Sequence, residues 1–370
     1  MGGAVNLEGR IDIRVTRHGA LPVTVAIHST RPQLAQKLLA GRPPGEAVKL
    51  AGLIFSLCGK AQRVAAAAAC GAAAGTSPDA AGRDGVFMEL AQEHAWRLLV
   101  DWPQQVGIAP DMDSLLRLRQ GAGDPVTFAA ALEALLQDTL LGEPVADWLA
   151  RDLAGFDAWR AAGATATARL FAGLGQGADM GISRTALLPP LWNLDDTTVR
   201  ELAHFALDTP AFCAQPVWQG EPAETGAIAR MHDQPLLAAW MTQRGRGAGA
   251  RLLARLLDLA SSAGAPAGSF ANLAGEGVGA TGLLVRAWPL GDNGGLAGVE
   301  TSRGLLLHAV RLRGGKVAEY RIVAPTEWNF HPEGPLFQAL TGAATDTAAA
   351  RLIAQSLDPC VAFAIEVEDA

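Results

Sequence analysis

Residues 305–323 read LLLHAVRLRGGKVAEYRIV, and this stretch decides which class of fold the rest of the chain must fit. Two runs of apolar and branched residues, Leu305 to Leu312 and Val317 to Val323, flank Arg313-Gly314-Gly315-Lys316. A Gly-Gly pair supplies the positive φ angles that a tight primed turn requires. The stretch therefore predicts a β-hairpin in the C-terminal part of the chain.

The long segment before this hairpin predicts helices instead. From Glu46 to about Ala263, apolar residues recur at a spacing of three to four, which is typical of amphipathic helices. The basic residues between Arg244 and Arg255 are interpreted as a solvated helix entry. The helical pattern is clearest in five stretches: Val86 to Val100, Phe128 to Leu141, Val145 to Leu153, Thr198 to Leu207 and Arg251 to Ala263.

Strand patterns occupy the two ends of the chain. Near the N-terminus, apolar residues alternate through Ile11 and Val15 and again from Leu21 to Ile27, which predicts two strands. Leu283 to Trp288 predicts another strand before the hairpin. A last helix is expected from about Ala343 to Ser356, because the proline that follows Asp358 disfavours helix at the preceding residue.

Strands at both ends with helices between them predict one α+β domain over residues 1–370, mainly a helical body with the N- and C-terminal β segments meeting beside it. Its expected parts are an N-terminal β segment (1–30), the helical body (46–263), a C-terminal β segment with the hairpin (281–325), and a final helix with an Asp-Pro-Cys tail (343–370). The two ends would then share a site.

Composition excludes several classes of function. The 30 Lys plus Arg against 37 Asp plus Glu give a formal charge of -7, which argues against a generally nucleic-acid-binding surface. We find no export signal, no apolar run long enough to span a bilayer, no P-loop and no histidine pair at zinc spacing. We therefore expect a cytoplasmic protein that binds neither nucleic acid nor membrane.

The four cysteines are scattered, and two of them stand in informative contexts. Cys58 begins an alanine-rich helical run, where the helix dipole and nearby Lys60 are expected to favour the thiolate. Cys360 follows Asp358-Pro359, close to the end of the chain. Thiolate is a soft ligand that selects soft metals, so this pair is the candidate metal site. Cys70 and Cys213 have no such context and are assigned to packing.

Both contexts resemble motifs of the nickel-iron hydrogenase large subunit. In that family an N-terminal Glu-Gly segment precedes Cys-Gly-x-Cys, and here Leu7-Glu8-Gly9-Arg10 precedes Cys58-Gly59-Lys60-Ala61. The family's C-terminal Asp-Pro-Cys-x-x-Cys is similar to Asp358-Pro359-Cys360-Val361-Ala362-Phe363. The resemblance implies that Cys58 and Cys360 occupy metal-binding positions. It also implies that Glu8 occupies the position of a proton-relay carboxylate.

Three further stretches extend the resemblance over nearly the whole chain. Glu300 to Leu305 is similar to the family's Glu-x-x-Arg-Gly segment, which implies that Arg303 overhangs the metal centre. Val323 to Asn329 is similar to its Val-x-Pro-Thr-x-Trp-Asn segment, which implies that Pro325 and Thr326 surround the cyanide ligands of iron. Glu224 to Arg230 resembles a third, less specific segment.

Departures from the family pattern narrow the function. Ala61 and Phe363 stand where the family has the cysteines that bridge nickel and iron, and neither side chain can replace a thiolate. No histidine follows His331, so a nickel-checked removal of the tail is not implied. This combination resembles the HupK (HoxV) family of hydrogenase expression/formation proteins. That resemblance implies a non-catalytic scaffold that transiently binds an iron-dicyanide-carbonyl unit, without nickel.

The expected partners are hydrogenase maturation accessory proteins and the immature large subunit. Two alternatives stay open at this point. The chain could be a degenerate large subunit that still turns over hydrogen, which would require nickel. It could also be a metal-free chaperone that uses a large-subunit surface to bind the maturation proteins.

Overall fold

The computed structural model describes residues 9–19, 21–55, 57–76, 82–263, 284–343 and 346–370. Glu8 and the Gly- and Pro-containing stretch 264–282 lie outside the described residues. The helices are α1 Ala35–Leu39, α2 Pro44–Ile54, α3 Gly59–Ala73, α4 Arg83–Trp96, α5 Trp102–Gln105, α6 Met112–Gln120, α7 Pro125–Ala134, α8 Val145–Leu149, α9 Leu153–Ala162, α10 Ala166–Leu174, α11 Asp196–Asp208, α12 Ala227–Arg230, α13 Pro235–Arg244, α14 Ala248–Ser261, α15 Pro325–Asn329, α16 Pro335–Thr341 and α17 Thr347–Ser356.

The strands are β1 Arg10–His18, β2 Leu21–Ser29, β3 Ala186–Leu187, β4 Ala223–Glu224, β5 Val285–Gly291, β6 Gly294–Thr301, β7 Gly304–Arg313, β8 Lys316–Val323 and β9 Ala362–Asp369. Together with the helices they make the α+β architecture that the sequence predicts. Two details of the predicted helical body are wrong. The short strands β3 and β4 pair in parallel inside it, and the expected helix Val145 to Leu153 is broken after Leu149, where Asp152 caps α9 instead.

A three-stranded sheet in the order β2-β1-β9 joins the two ends of the chain. β1 runs antiparallel to β2 and parallel to β9, so Arg10 lies beside Ala362, two positions after Cys360. β1 turns the buried side chains of Ile11, Ile13 and Val15 toward the core. The meeting of the ends is as expected, but the partner is a tail strand that the sequence analysis leaves unassigned, although residues 362–369 alternate in burial along that strand.

The predicted hairpin is confirmed as β7 and β8, with Gly314 at φ 57 and Gly315 at φ 74. These strands belong to a four-stranded antiparallel sheet in the order β5-β6-β7-β8. β6 is missed by the sequence analysis because its glycines depress the strand pattern. The alanine-rich helix α3 packs on this sheet, and Cys58 stands at the start of that helix.

Glycine in β6 is what allows α3 to approach the sheet closely. A Cβ atom on Gly295 would lie 2.2 Å from the Ala69 carbonyl oxygen. We therefore expect Gly295→Ala to lower the free energy of unfolding by about 1–3 kcal/mol through overpacking. Urea unfolding followed by tryptophan fluorescence checks this. Gly45→Ala is the matched control, because its Cβ meets nothing within 4 Å; equal losses in both variants would contradict the packing explanation.

The helix α14 crosses the core and is buried along nearly its whole length. Its arginines Arg251 and Arg255 are almost fully buried, so the expectation of a solvated helix entry is wrong for them. The leucines that surround them place this helix in the core, and acidic partners on other elements neutralise the charges. In the described part of the chain, no helix is long and apolar enough to cross a membrane.

The predicted final helix is present as α17, but it begins at Thr347 rather than near Ala343. Asp346 caps it by accepting a hydrogen bond of 2.8 Å from the Ala349 amide. The helix ends at Ser356, just before Asp358-Pro359. The division of residues 1–370 into one domain with four parts stays a prediction.

Candidate functional site

Cys58 is the residue that immediately precedes α3, where the first amides of the helix point outward. The carboxylate of Glu89 takes two of them, accepting hydrogen bonds from Lys60 N at 2.9 Å and Ala61 N at 3.0 Å. Burial and the neighbouring Cys360 raise the pKa of Cys58 to about 12, and Glu89 acts in the same direction. The expectation that the helix end and Lys60 favour the thiolate of the free protein is therefore wrong.

Cys360 lies between Asp358-Pro359 and β9, and its sulfur accepts two hydrogen bonds. Arg31 Nη1 donates from 2.8 Å and Thr326 Oγ1 from 3.0 Å. Thr326 Oγ1 also accepts a hydrogen bond of 3.3 Å from the Cys360 amide. Since charge on Cys360 raises the pKa of Cys58, the two thiols lie within electrostatic reach of each other. The fold thus places the two thiols close enough for their charges to interact.

Asp358 anchors the loop that carries Cys360. Its carboxylate is buried and contacts Arg97 at 2.7 Å, Arg255 at 2.9 Å and Arg303 at 3.5 Å. Burial alone would raise the pKa of this carboxyl, but the arginines outweigh it and hold the pKa well below its usual range. Asp358 has a φ of 54, a left-handed conformation that is uncommon for a residue other than glycine. The ion pairs hold it there.

Arg303 is buried between two acidic side chains, Glu93 at 2.8 Å and Asp358 at 3.5 Å. Its positive charge and the Gln62 hydrogen bond lower the pKa of Cys58, but burial, Cys360 and Glu89 raise it and outweigh them. Its own pKa is raised in spite of burial by Asp358, Glu93 and Cys360. The structure therefore places Arg303 within electrostatic range of both cysteines, with its guanidinium already engaged by carboxylates.

Pro325 and Thr326 begin α15, directly after β8, and both are buried. Proline at the first helical position needs no amide partner, so the turn from strand to helix is compact. Thr326 then reaches Cys360 through its hydroxyl group. Glu8 lies outside the described residues, and its predicted role stays a prediction.

A surface cleft of about 480 Å³ leads to the Cys360 loop. Leu57, next to Cys58 in sequence, forms one part of its wall, and Arg97 and Asp101 form another. Phe363 lines the same cleft and packs under the guanidinium of Arg351, 5.6 Å from the ring centroid. Cys360 is therefore reachable by a small fragment without opening the core.

Comparisons with known proteins identify the family of the chain. A family model described as nickel-dependent hydrogenase matches residues 247–366. The hydrogenase expression/formation protein HoxV of Cupriavidus necator is 34% identical over 392 residues, which cover 99% of this chain and 97% of HoxV. HupK of Rhizobium leguminosarum is 33% identical, covering 98% of this chain and 97% of HupK.

This chain belongs to the HupK (HoxV) family of hydrogenase expression/formation proteins. The fold is that of the hydrogenase large subunit. The Ni-Fe-Se hydrogenase of D. vulgaris Hildenborough in its oxidised state aligns with a TM-score of 0.60 at 15% identity, over 91% of this chain and 94% of the other. An NAD+-reducing [NiFe]-hydrogenase in the H2-reduced state gives 0.56 at 17%, over 92% of each chain.

The motif resemblance puts Ala61 and Phe363 at the metal-bridging positions of catalytic subunits, and both side chains are hydrocarbons. Ala61 is buried in α3, and its amide is bound by Glu89. Phe363 lies in β9 and is half-buried. Among the described residues, no group of three or more His, Cys, Asp or Glu side chains is arranged to hold a metal ion. The assignment of Cys58 and Cys360 as ligands stays a prediction.

Several residues around the cysteines are missed by the sequence analysis. Arg31 and Glu93 follow no motif, and only the fold brings them to Cys360 and Arg303. Arg97 and Arg255 carried a usable signal, because each is a charged residue among the apolar positions of a helical pattern. A charge at such a position needs a buried partner, and Asp358 is that partner for both.

The less specific motif, Glu224 to Arg230, supports the site through buried hydrogen bonds and ion pairs. Arg230 is buried and donates to Glu300 at 2.8 Å and to Asp258 at 2.5 Å. The Thr225 amide donates to Asn329 Oδ1 at 2.9 Å. These bonds tie all three motifs together and hold Arg303 and Thr326 in fixed relation.

Proposed function

We propose that this protein is a hydrogenase maturation scaffold that transiently holds the iron-dicyanide-carbonyl unit between Cys58 and Cys360. One observation carries the proposal: thiols 302 positions apart in sequence (360 − 58) lie within electrostatic range of each other and of Arg303. Thr326 bonds Cys360, and the motif resemblance puts Ala61 and Phe363 at the bridging positions. Membership of the HupK (HoxV) family supports a role in maturation. The proposal makes the protein a carrier of the iron unit and not a hydrogenase.

The chemistry of the site suits temporary binding. Two thiolates are soft ligands that hold an iron fragment but leave its other positions free for the next acceptor. Arg303 and the Thr326 amide are donors suited to cyanide nitrogen atoms, and a guanidinium donor adds charge assistance. Arg31 offsets negative charge on Cys360. Nickel has no role in this proposal, because the thiolates that would bridge it to iron are missing.

The cleft offers a route for exchange with partner proteins. It reaches Cys360 from the surface and is lined by both charged and apolar residues, Arg97 and Leu57 among them. We propose that the accessory proteins deliver the iron unit at this opening and that the immature large subunit, or a protein acting for it, removes it there.

Replacing either cysteine tests the proposal. In cells that contain the maturation proteins, we expect Cys58→Ser and Cys360→Ser each to reduce the iron retained by the anaerobically purified protein to background, because serine does not supply a thiolate. Cys70→Ser and Cys213→Ser are matched controls and should retain iron, since both thiols are buried and neither stands in a hydrogenase-like motif. Cys70 lies about three helical turns beyond Cys58 along α3. Retention by all four variants would contradict the proposal. Unimpaired hydrogenase maturation with both site cysteines replaced would indicate a metal-free chaperone.

A further inference from the structure

A chain of three buried polar side chains ends at the sulfur of Cys58. Gln62 lies one helical turn after Cys58 in α3, and its Nε2 donates to Cys58 Sγ at 3.7 Å. The Gln62 Oε1 atom lies 2.9 Å from His308 Nε2 in β7. His308 Nδ1 lies 2.7 Å from the hydroxyl of Tyr320 in β8. Each of these three side chains is at most 1% exposed.

The direction of every hydrogen bond in the chain follows from the orientation of the Gln62 amide, whose Nε2 atom faces Cys58. The Gln62 Oε1 atom only accepts, so His308 Nε2 must carry a hydrogen. Burial lowers the pKa of His308 to about 3, so its ring is neutral and has a single N–H group. His308 Nδ1 is then an acceptor, and Tyr320 donates to it. All three donors therefore point toward Cys58.

The surroundings of these hydrogen-bonded side chains are apolar, which distinguishes them from polar groups at an ordinary buried position. It crosses the apolar interface between α3 and the four-stranded sheet, where its neighbours include Ala65, Ala66 and Val310. In such an interface a polar group is retained only with a satisfied partner. The last acceptor is the sulfur of Cys58, which immediately precedes α3. The glycines of β6 allow this helix to pack closely on the sheet.

We propose that Gln62, His308 and Tyr320 are positioning residues. Their hydrogen bonds hold the Cys58 sulfur in the orientation in which it binds the incoming iron fragment. This inference rests on the proposed function. Cys360 is held differently, by the charged Arg31 and by Thr326. Among the described residues, the side-chain donor to Cys58 Sγ is the neutral amide of Gln62, so the two ligands differ in how much electron density they give to iron. Outer partners of this kind fix the orientation of a ligand and tune the metal.

The first test does not depend on the iron unit. Nitrogen-15 NMR of histidine-labelled protein should show His308 as the neutral Nε2–H tautomer at pH 7. Tyr320→Phe should move the His308 Nδ1 resonance, because that nitrogen loses its donor. A neutral Nδ1–H tautomer in the wild type would mean that the donors point away from Cys58 and would overturn the inference.

The second test uses the iron unit, in protein purified anaerobically from cells containing the maturation proteins. Gln62→Leu should lower the affinity for the unit about tenfold. It should also shift the carbonyl infrared band to lower frequency, because the sulfur without its donor gives more electron density to iron. Tyr320→Phe should shift the band in the same direction by less, which keeps the test informative if Gln62→Leu folds poorly. Gln36→Leu is the matched control, since Gln36 accepts a hydrogen bond from the Tyr320 backbone amide but is not one of the three side chains linked to Cys58.

The possible failures are distinguishable. Bands present in the wild type and unchanged in Gln62→Leu and Tyr320→Phe would overturn the positioning role and leave the scaffold proposal standing. An absence of bands in the wild type would remove the scaffold proposal and with it the role toward iron, whereas the tautomer measurement would still decide the direction of the chain.

Discussion

Replacing Asp358 by asparagine should lower the free energy of unfolding by about 3–5 kcal/mol, the range for removing one partner of a buried ion pair. The introduced amide is neutral, so Arg255 would stay buried without this carboxylate, Arg97 would keep only Asp101, and Arg303 would keep only Glu93. The loop that carries Cys360 would lose its anchor. We therefore expect loss of iron retention together with loss of stability.

Urea unfolding of Asp358→Asn and wild type measures this effect. Asp369→Asn is the matched control, because its carboxylate pairs with Arg17 at the exposed end of β9 and should contribute less than about 1 kcal/mol. A loss in Asp358→Asn no larger than in this control would contradict the anchoring role.

The same carboxylate predicts how stability depends on pH. Because the folded-state pKa of Asp358 is depressed, its contribution is fully present above the unfolded value of about 3.9. The contribution is lost as pH falls below that value toward the folded pKa. Wild type should therefore lose stability more steeply in acid than Asp358→Asn, and parallel acid limbs for the two proteins would contradict the assignment.

The second large effect concerns the positions that distinguish this chain from catalytic subunits. The double variant Ala61→Cys with Phe363→Cys restores four thiols around the site, and we expect it to hold the iron unit at least about a hundredfold more tightly, because the added groups bind intramolecularly. Tighter binding opposes release. Hydrogenase maturation in cells should therefore fall while the iron content of this protein rises.

Serine at the same two positions provides the control for shape. Ala61→Ser with Phe363→Ser changes the size and polarity of the site without adding a thiolate, so its iron retention should stay at or below that of wild type. Dissociation of the iron unit can be followed by transfer to an excess of a strong chelator under anaerobic conditions. Equal dissociation rates for the double cysteine variant and the wild type would contradict the claim that loss of the bridging thiols weakens binding of the iron unit.

Local patterns predicted much of the fold. The hairpin over residues 304–323 follows from Gly314-Gly315 between two apolar runs, and the helical middle follows from apolar spacing. β6 was not predictable in the same way, because Gly295 and Gly298 are there to admit neighbouring elements, a requirement that only the packed structure reveals. β9 had the right alternation, but its partner β1 lies at the other end of the chain.

The residues of the candidate site were also only partly predictable from local sequence patterns. The resemblance to hydrogenase motifs pointed to Arg303 and Thr326; Thr326 contacts Cys360, and Arg303 lies within electrostatic range of both cysteines. The resemblance did not predict Arg31 or Glu89, which contact the site from segments that contain no hydrogenase-like motif. The thiolate expectation for Cys58 failed because helix position is a local signal, whereas burial and the charge of Cys360 come from the tertiary structure.

Infrared spectroscopy of the anaerobically purified protein, produced together with the maturation proteins, tests the central claim most directly. We predict carbonyl and cyanide stretching bands in the wild type, and their loss in Cys58→Ser and in Cys360→Ser but not in Cys70→Ser. Absence of these bands from the wild type, or bands unchanged when Cys58 or Cys360 is replaced, would contradict the claim that this pair holds the iron unit.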